Sequence, residues 1–281
     1  MLSVFSSFGL AGWLALISIV TTPGSQAPRP MSFSATLTSI KVNARPGQVI
    51  TRQFQLTLDA GQPRTHFKAK VEDWWRSQDG LQSHYAAPGT LQHSCAPWTS
   101  LNPVESAVGP GETLTIRITV NVPRELVPGG YWCALTVDQI PDPLSGAGVG
   151  VHFVASVSTG IFLYVDPVER QATILGIRTD TDRVVVTVRN RGNAPLGIEG
   201  RVEFLALDGR APVATIQMPR GTLLTEPSVE GDFAATLPSP ATLPSGKYLV
   251  RAILDIGTTQ DIGAEQELTI TRTATPNGSR R

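Results

Sequence analysis

Charged residues are scarce in this sequence, and the two signs are evenly balanced. Only 16% of the 281 residues are charged, with 23 Lys and Arg against 23 Asp and Glu. No run of basic residues is longer than the terminal pair Arg280 and Arg281. Nucleic acids and anionic membranes both bind clustered positive charge. We therefore expect no nucleic-acid partner, and a membrane tether only through the N-terminal segment.

Residue patterns that are typical of catalysis are also missing. The sequence has no Gly-x-Ser-x-Gly elbow, no phosphate-binding glycine-rich loop and no histidine pair at metal-ligand spacing. Glu72 and Asp73 are adjacent, so in a strand they point to opposite faces and cannot act together on one substrate bond. We interpret both as solvated surface residues. The sequence thus predicts no enzyme, no cofactor and no metal site.

Cysteine is limited to Cys95 and Cys133. In an exported chain such a pair usually forms a disulfide, although two buried thiols are the alternative. The separation of 38 positions is too short for the usual bridge between the two sheets of a sandwich. We expect the bridge to pin residues 91–101 onto the strand that contains Cys133.

The first 20 residues carry no charged side chain. This is typical of an export signal, although the basic residue that usually precedes the apolar run is missing. An uncleaved membrane anchor is the alternative, because the run approaches the shortest span of about 17 residues. We expect residues 1–27 to be a signal peptide, cleaved around Thr22 and Gly24, or an anchor. The protein would then be exported to the periplasm or the cell surface.

Proline and glycine are frequent, and they separate short apolar runs. Residues 113–122 show the clearest strand pattern, because apolar and polar side chains alternate over ten positions. Similar runs occur at residues 49–58, 66–75, 131–137, 151–165, 183–189, 198–207, 248–256 and 265–270. Outside the leader, no segment has a sustained helical period. The sequence therefore predicts an all-β protein.

An internal repeat indicates two copies of one fold. Residues 129–138 and 246–255 each begin with Gly-x-Tyr and end with Asp, at an offset of 117 positions. We expect two tandem immunoglobulin-like β-sandwich domains, at residues 28–166 and 167–272, followed by a disordered tail at residues 273–281.

Two regions are candidates for binding a partner. Alternation in residues 66–75 places Trp75 in the core and Trp74 among charged residues. An exposed Trp74 beside Arg76 and Tyr85 would stack on a sugar or anchor a protein. The alternative is that the loop of residues 91–101 covers Trp74.

The second region is the apolar run at residues 151–165. Apolar residues occupy its inward face, and Val154, Phe162 and Tyr164 are further apolar residues on the other face. These residues would contact the second domain, which we favour for Phe162 and Tyr164, or would mark an edge that accepts a partner strand.

The first domain also carries a series of turn and strand motifs. They are Pro46-Gly47, Asp79-Gly80, Trp98-Thr99-Ser100-Leu101, Pro110-Gly111-Glu112 and Gly129-Gly130-Tyr131. With these motifs the chain resembles the WxL-interacting cell-surface proteins. The resemblance implies a second sandwich, a place at the cell wall, and binding to peptidoglycan and other surface proteins. Members usually end in a membrane span and a basic tail, which this sequence lacks.

Residues 159–167, which read TGIFLYVDP, resemble the end of the first domain of periplasmic pilus-assembly chaperones. That resemblance implies a grip on a subunit's terminal carboxylate by one basic residue on the first strand and one on the last. Lys41 stands near the first position, but residues 151–165 contain no Lys or Arg. The carboxylate grip is therefore not expected.

These observations predict a non-enzymatic envelope protein. Its partner would be an envelope protein or a peptidoglycan or other polysaccharide. The alternative function is a periplasmic chaperone-like protein for the assembly of surface or pilus subunits.

Overall fold

The structure is a computed structural model, and it describes residues 31–36, 39–141, 154–207 and 211–272. The expected leader with its cleavage site at Thr22 and Gly24, and the expected tail, lie outside the described residues. Within the described ranges, no helix has the length and apolarity needed to cross a membrane.

Ten strands form the first sandwich. They are β1 (Phe33–Ala35), β2 (Ser39–Ala44), β3 (Val49–Leu58), β4 (Thr65–Arg76), β5 (Ser83–Ala86), β6 (Thr99–Asn102), β7 (Glu105–Val108), β8 (Thr113–Asn121), β9 (Gly129–Ile140) and β10 (Ser156–Val165). One sheet has the order β1-β3-β8-β6, and the other has the order β2-β10-β9-β4-β5, with β7 also pairing with β4. A single 3-10 turn, Ala96–Trp98, interrupts the long loop before β6.

Seven strands form the second sandwich. They are β11 (Ala172–Asp180), β12 (Arg183–Asn190), β13 (Leu196–Leu205), β14 (Pro212–Leu223), β15 (Glu230–Thr236), β16 (Gly246–Asp255) and β17 (Ile262–Ile270). Their sheets have the orders β11-β12-β15 and β14-β13-β16-β17. The chain is thus all-β, with two tandem immunoglobulin-like sandwiches, as the sequence predicts.

The alternation along β8 shows why these residues form strands. Its apolar side chains are buried, and most of the polar side chains between them face solvent. Opposite β8, Phe54 and Leu56 of β3 are buried in the same way. One face of the sheet therefore packs into the core of the sandwich while the other stays polar.

The first two strands of the first sandwich lie in different sheets. β1 pairs antiparallel with β3 only from Leu56 to Leu58. The chain then crosses, and β2 pairs in parallel with β10 from Gly160 to Val165. Consequently, no described strand pairs with residues 49–54 of β3 on the β1 side, or with residues 156–158 of β10 on the β2 side.

The Gly-x-Tyr repeat has the same structural role in both sandwiches. The Tyr131 hydroxyl donates to the Val127 carbonyl at 2.9 Å, and the Tyr248 hydroxyl donates to the Pro244 carbonyl at 3.0 Å. Burial raises the pKa of Tyr131, which keeps its hydroxyl a donor. Each tyrosine ties the start of its strand, β9 or β16, to the preceding loop.

The expected disulfide between Cys95 and Cys133 is confirmed. Both residues are fully buried. Beside the bridge, the Trp132 amide donates to the His93 carbonyl at 2.9 Å, and the Cys95 amide donates to the Trp132 carbonyl at 3.1 Å. The bridge therefore holds the loop before β6 against β9, as its position in the sequence indicates.

The first prediction concerns the stability that this bridge provides. Replacing both Cys95 and Cys133 with Ser should lower the free energy of unfolding by about 4 kcal/mol, because the bridge restricts the unfolded chain. Urea denaturation of the oxidised protein and the double variant measures this difference. Mass spectrometry of non-reduced exported protein should show the cross-linked peptide, and free thiols at both positions would contradict the assignment.

Candidate partner-binding cleft

A small apolar cluster lies on the outer face of β4, β9 and β10. Its buried members are Trp74, Leu91, Trp132, Ala134, Phe162, Tyr164, Ala194 and Leu224. Trp74 is only 8% exposed, and its ring meets the Phe162 ring edge-on at 6.0 Å. The expectation of an exposed Trp74 is therefore wrong. The loop between β5 and β6, which the disulfide holds on β9, covers this face and contributes Leu91. This covering loop is the alternative stated for Trp74.

Asp73 is a second correction to the surface interpretation. It is fully buried, whereas Glu72 is half-buried and forms an ion pair with Lys70 at 3.2 Å. The Asp73 carboxylate accepts hydrogen bonds from the Leu91 amide at 2.7 Å and from the Ser94 hydroxyl. A buried carboxylate requires such donors, since desolvation strongly disfavours its charge. Asp73 therefore anchors the covering loop from below.

The run at residues 151–165 behaves differently along its length. Phe162 and Tyr164 are buried in the cluster with Ala194 and Leu224 of the second sandwich, which fits the interdomain interpretation. An accepting edge is wrong for the part from Gly160 onward, because β2 already pairs there. Val154 is 50% exposed and precedes β10, while residues 151–153 lie outside the described ranges.

Three sets of hydrogen bonds join the sandwiches. The Gly130 amide donates to the Asn193 carbonyl at 2.9 Å, and the Asp232 amide donates to the Gln78 carbonyl at 2.7 Å. The Glu226 carboxylate accepts from the main-chain amides of the covering loop at Gln92 (3.1 Å) and His93 (2.5 Å). The covering loop thus serves both as a lid on Trp74 and as a support for the second sandwich.

A cleft of about 660 Å³ lies between the two sandwiches. It brings together five of the sequence-predicted binding residues: Trp74, Arg76, Tyr85, Phe162 and Tyr164. Tyr85 is 44% exposed on β5, and Arg76 is exposed at the end of β4. Pro195, Gly197, Glu199, Arg220 and Asp255 form the opposite wall. Val154 is not part of this cleft.

The cleft is rich in cations. Arg220 is already neutralised, since it binds both Glu199 oxygens at 2.7 and 2.9 Å and holds the pKa of that carboxyl below its usual range. Lys41 and Arg170 have no carboxylate within ion-pair distance among the described residues. Arg170 lies over the Tyr164 ring at 5.0 Å. Burial raises the pKa of Tyr164, and the charge of Arg170 opposes that rise.

Sequence reasoning missed part of this arrangement. Arg170 follows the last strand of the first sandwich, so a search for basic residues within 151–165 could not find it. Lys41 was considered, and it lies on β2 directly opposite Phe162 of β10. Within the described ranges, no group of three His, Cys, Asp or Glu side chains could hold a metal ion. The cleft thus offers the exposed ring of Tyr85 and positive charge for binding.

The second prediction tests Asp73 as the anchor of the covering loop. Asp73→Ala leaves two donors without partners and should lower the free energy of unfolding by about 2–4 kcal/mol. Glu72→Ala is the matched control, because its half-exposed ion pair should contribute less than about 1 kcal/mol. Urea denaturation measures both variants. Equal losses in the two variants would show that Asp73 is not an anchor.

No protein-family model and no curated protein matches the sequence. Solved structures of similar fold include a chain from a chaperone–tip adhesin complex of CFA/I fimbriae biogenesis, at 11% identity and a TM-score of 0.48, covering 84% of this chain and 98% of that one. The Pseudomonas aeruginosa CupB2 chaperone has 16% identity and a TM-score of 0.41, with coverages of 84% and 100%. The E. coli chaperone DraB has 14% identity and a TM-score of 0.43, with coverages of 85% and 100%. At these identities the similarities concern the fold alone and assign no family or role to the chain, and they give no support to the resemblance to the WxL-interacting proteins.

Proposed function

We propose that this chain is an exported, non-catalytic, chaperone-like protein with domains at residues 28–166 and 167–272. It binds an extended segment of an envelope protein, such as a surface or pilus subunit, along the open half of β10. One observation carries the proposal: β2 covers β10 only from Gly160 onward, so residues 156–158 have no described partner on that side. Fimbrial chaperones are the precedent for such a role, but the proposal rests on the edge itself.

The direction of the main-chain groups supports this assignment. The Gln139 amide of β9 donates to the Ala155 carbonyl at 2.9 Å. In an antiparallel pair, the groups of alternate residues point towards the same neighbour. Val157 therefore bonds towards β9, whereas the amides and carbonyls of Ser156 and Ser158 point to the open side. A partner strand would pair with these groups.

Side chains next to this edge supply apolar contacts. Ala155 and Val157 are half-buried. Main-chain hydrogen bonds would provide affinity, and pockets for alternate side chains would provide specificity, as in other strand additions. The partner segment is therefore expected to be extended and to carry apolar residues at alternate positions.

The cleft adds positive charge at one end of this edge. Lys41 and Arg170 both line it and form no ion pair among the described residues, and the charge of Lys41 also acts on Glu199, whose pKa it helps to lower. Together they could bind a carboxylate of the partner segment, because charge-assisted hydrogen bonds are strong where solvent is partly excluded. This revises the expectation that a second basic residue is missing, since Arg170 is supplied by the segment after β10.

No observation favours binding of peptidoglycan or another polysaccharide. That hypothesis relied on the resemblance to the WxL-interacting proteins, which no comparison supports, and on Trp74 as a platform for a sugar ring, and Trp74 is covered. A glycan partner is therefore an outcome of the experiments below and not a second proposal.

The third prediction tests the open edge. The tagged protein, with a photo-reactive residue at Ser156, is produced in its own host, and the cross-linked peptide is identified by mass spectrometry. A synthetic copy of that peptide is the probe. Ser158→Pro should weaken its binding at least about fivefold, because the amide that faces the open side is removed.

Glu105→Pro is the matched control for Ser158→Pro. Glu105 is exposed on β7, which pairs with β4 of the same sheet, and it does not line the cleft. Circular dichroism and the intact disulfide verify folding. Normal binding by a folded Ser158→Pro variant, or a cross-link to glycan alone, would refute strand addition at β10.

The fourth prediction concerns the charge in the cleft. The double variant Lys41→Ala and Arg170→Ala should bind the same peptide about tenfold more weakly, and the loss should shrink at high salt. Replacing Arg220 and Glu199 together with Gln is the control, because it removes a guanidinium along with the carboxylate that already neutralises it. Equal effects of the control and the double variant would mean that no carboxylate of the partner is bound there.

A further inference from the structure

The first sandwich has a second open edge, on the other sheet. β1 covers β3 only at residues 56–58, so no described strand pairs with residues 49–54 of β3 on that side. The Thr36 amide donates to the Gln55 carbonyl at 3.1 Å, which shows that Gln55 points its main-chain groups to this side. By the same alternation, Thr51 and Gln53 also point there. Such a row of free groups is a template for pairing with another chain.

One residue breaks the apolar pattern along this open half. Ile50, Phe54 and Leu56 form the inward row of β3 and are buried. Arg52 occupies the same row but is exposed, opposite the buried Ile118 of β8. A position where packing favours an apolar side chain therefore holds a cation, whose guanidinium must turn out around the edge to reach water.

The position of the Arg52 guanidinium makes this placement specific. Its Nη1 donates to the Thr51 carbonyl at 2.9 Å. That carbonyl is one of the acceptors that point to the open side. Arg52 thus occupies an acceptor that an incoming strand would use, and it places a charge beside the edge.

We propose that Arg52 guards the open half of β3 against pairing with the same edge of a second copy of this chain. Two copies of one edge can pair antiparallel about a two-fold axis, because the surface is then self-complementary. Residues 50–55 are suited to this, with the polar Thr51, Gln53 and Gln55 on one face and Ile50 and Phe54 on the other. In such a dimer, two Arg52 side chains would face each other near the axis, and like charges on adjacent strands repel.

The guard makes the two open edges of the sandwich unequal. β3 carries a cation in its inward row, whereas the inward row of β10 holds the apolar Val157 in its open half, between the small Ser156 and Ser158. Strand addition is thereby directed to β10 and away from self-association. The inference concerns β3 alone, and it holds or fails independently of the partner proposed for β10.

The test replaces the guard with a residue that suits the inward row. Arg52→Val should give a concentration-dependent dimer in size-exclusion chromatography with light scattering, while the unaltered full chain stays monomeric. Arg117→Val is the matched control. It removes the same charge from the neighbouring β8, which has strand partners on both sides, so it should stay monomeric.

Further variants separate the causes. Arg52→Glu keeps a charge at the edge and should remain monomeric. Gln53→Pro, added to Arg52→Val, removes an amide that points to the open side and should restore the monomer. A folded Arg52→Val variant that stays monomeric would overturn the proposal, as would a dimer that survives Gln53→Pro. Near-ultraviolet circular dichroism confirms that each variant is folded.

Discussion

The first two described strands, β1 and β2, are short and pair in different sheets. Their lengths determine where the described edges of the first sandwich are open. β1 has 3 residues and β2 has 6, whereas β3 and β10, the strands that they border, have 10 each. Backbone amides and carbonyls need partners, so every uncovered residue of an edge strand is a place for water or another strand. Because β1 and β2 pair in different sheets, no described strand covers residues 49–54 of β3 or residues 156–158 of β10 on these sides. The side chains at these half-edges then decide their use: Arg52 at β3, and Ser156 with Ser158 at β10.

The outer face of the second sheet is organised by the covering loop. The Cys95–Cys133 bridge fixes one end of the loop on β9, and the buried Asp73 carboxylate binds its middle through Leu91 and Ser94. Held in this way, the loop presents two main-chain amides to Glu226 of the second sandwich. The disulfide and the buried Asp73 carboxylate thus hold the covering loop on the first sandwich, and Glu226 joins the same loop to the second sandwich.

The sequence predicted the features that depend on local pattern. The alternation along β8, the Gly-x-Tyr repeat and the paired cysteines each report a constraint that lies within a few residues or within one bond. Trp74 was misplaced because alternation assigns faces to a strand, but it does not reveal that a loop about 20 residues away will cover the outer face. Asp73 lies on the opposite face, and its burial depends on the donors that the same loop supplies through Leu91 and Ser94. Arg170 was missed because its position depends on how the chain turns after β10. Such long-range contacts follow from the folded arrangement and leave no periodic signal.

The close contact of Gly130 with the second sandwich affects what would happen if the two sandwiches were separated. A Cβ atom at Gly130 would lie 2.3 Å from Cδ of Pro195, so the two sandwiches meet there at backbone distance. Ala194 and Leu224 complete the cluster that contains Phe162 and Tyr164. A truncated chain that ended near residue 166 would keep all ten strands of its own sandwich and yet expose these aromatic rings to solvent. The first sandwich is therefore complete in topology but incomplete in its hydrophobic packing. If it were produced alone, an internal apolar contact would become an exposed apolar patch that favours aggregation.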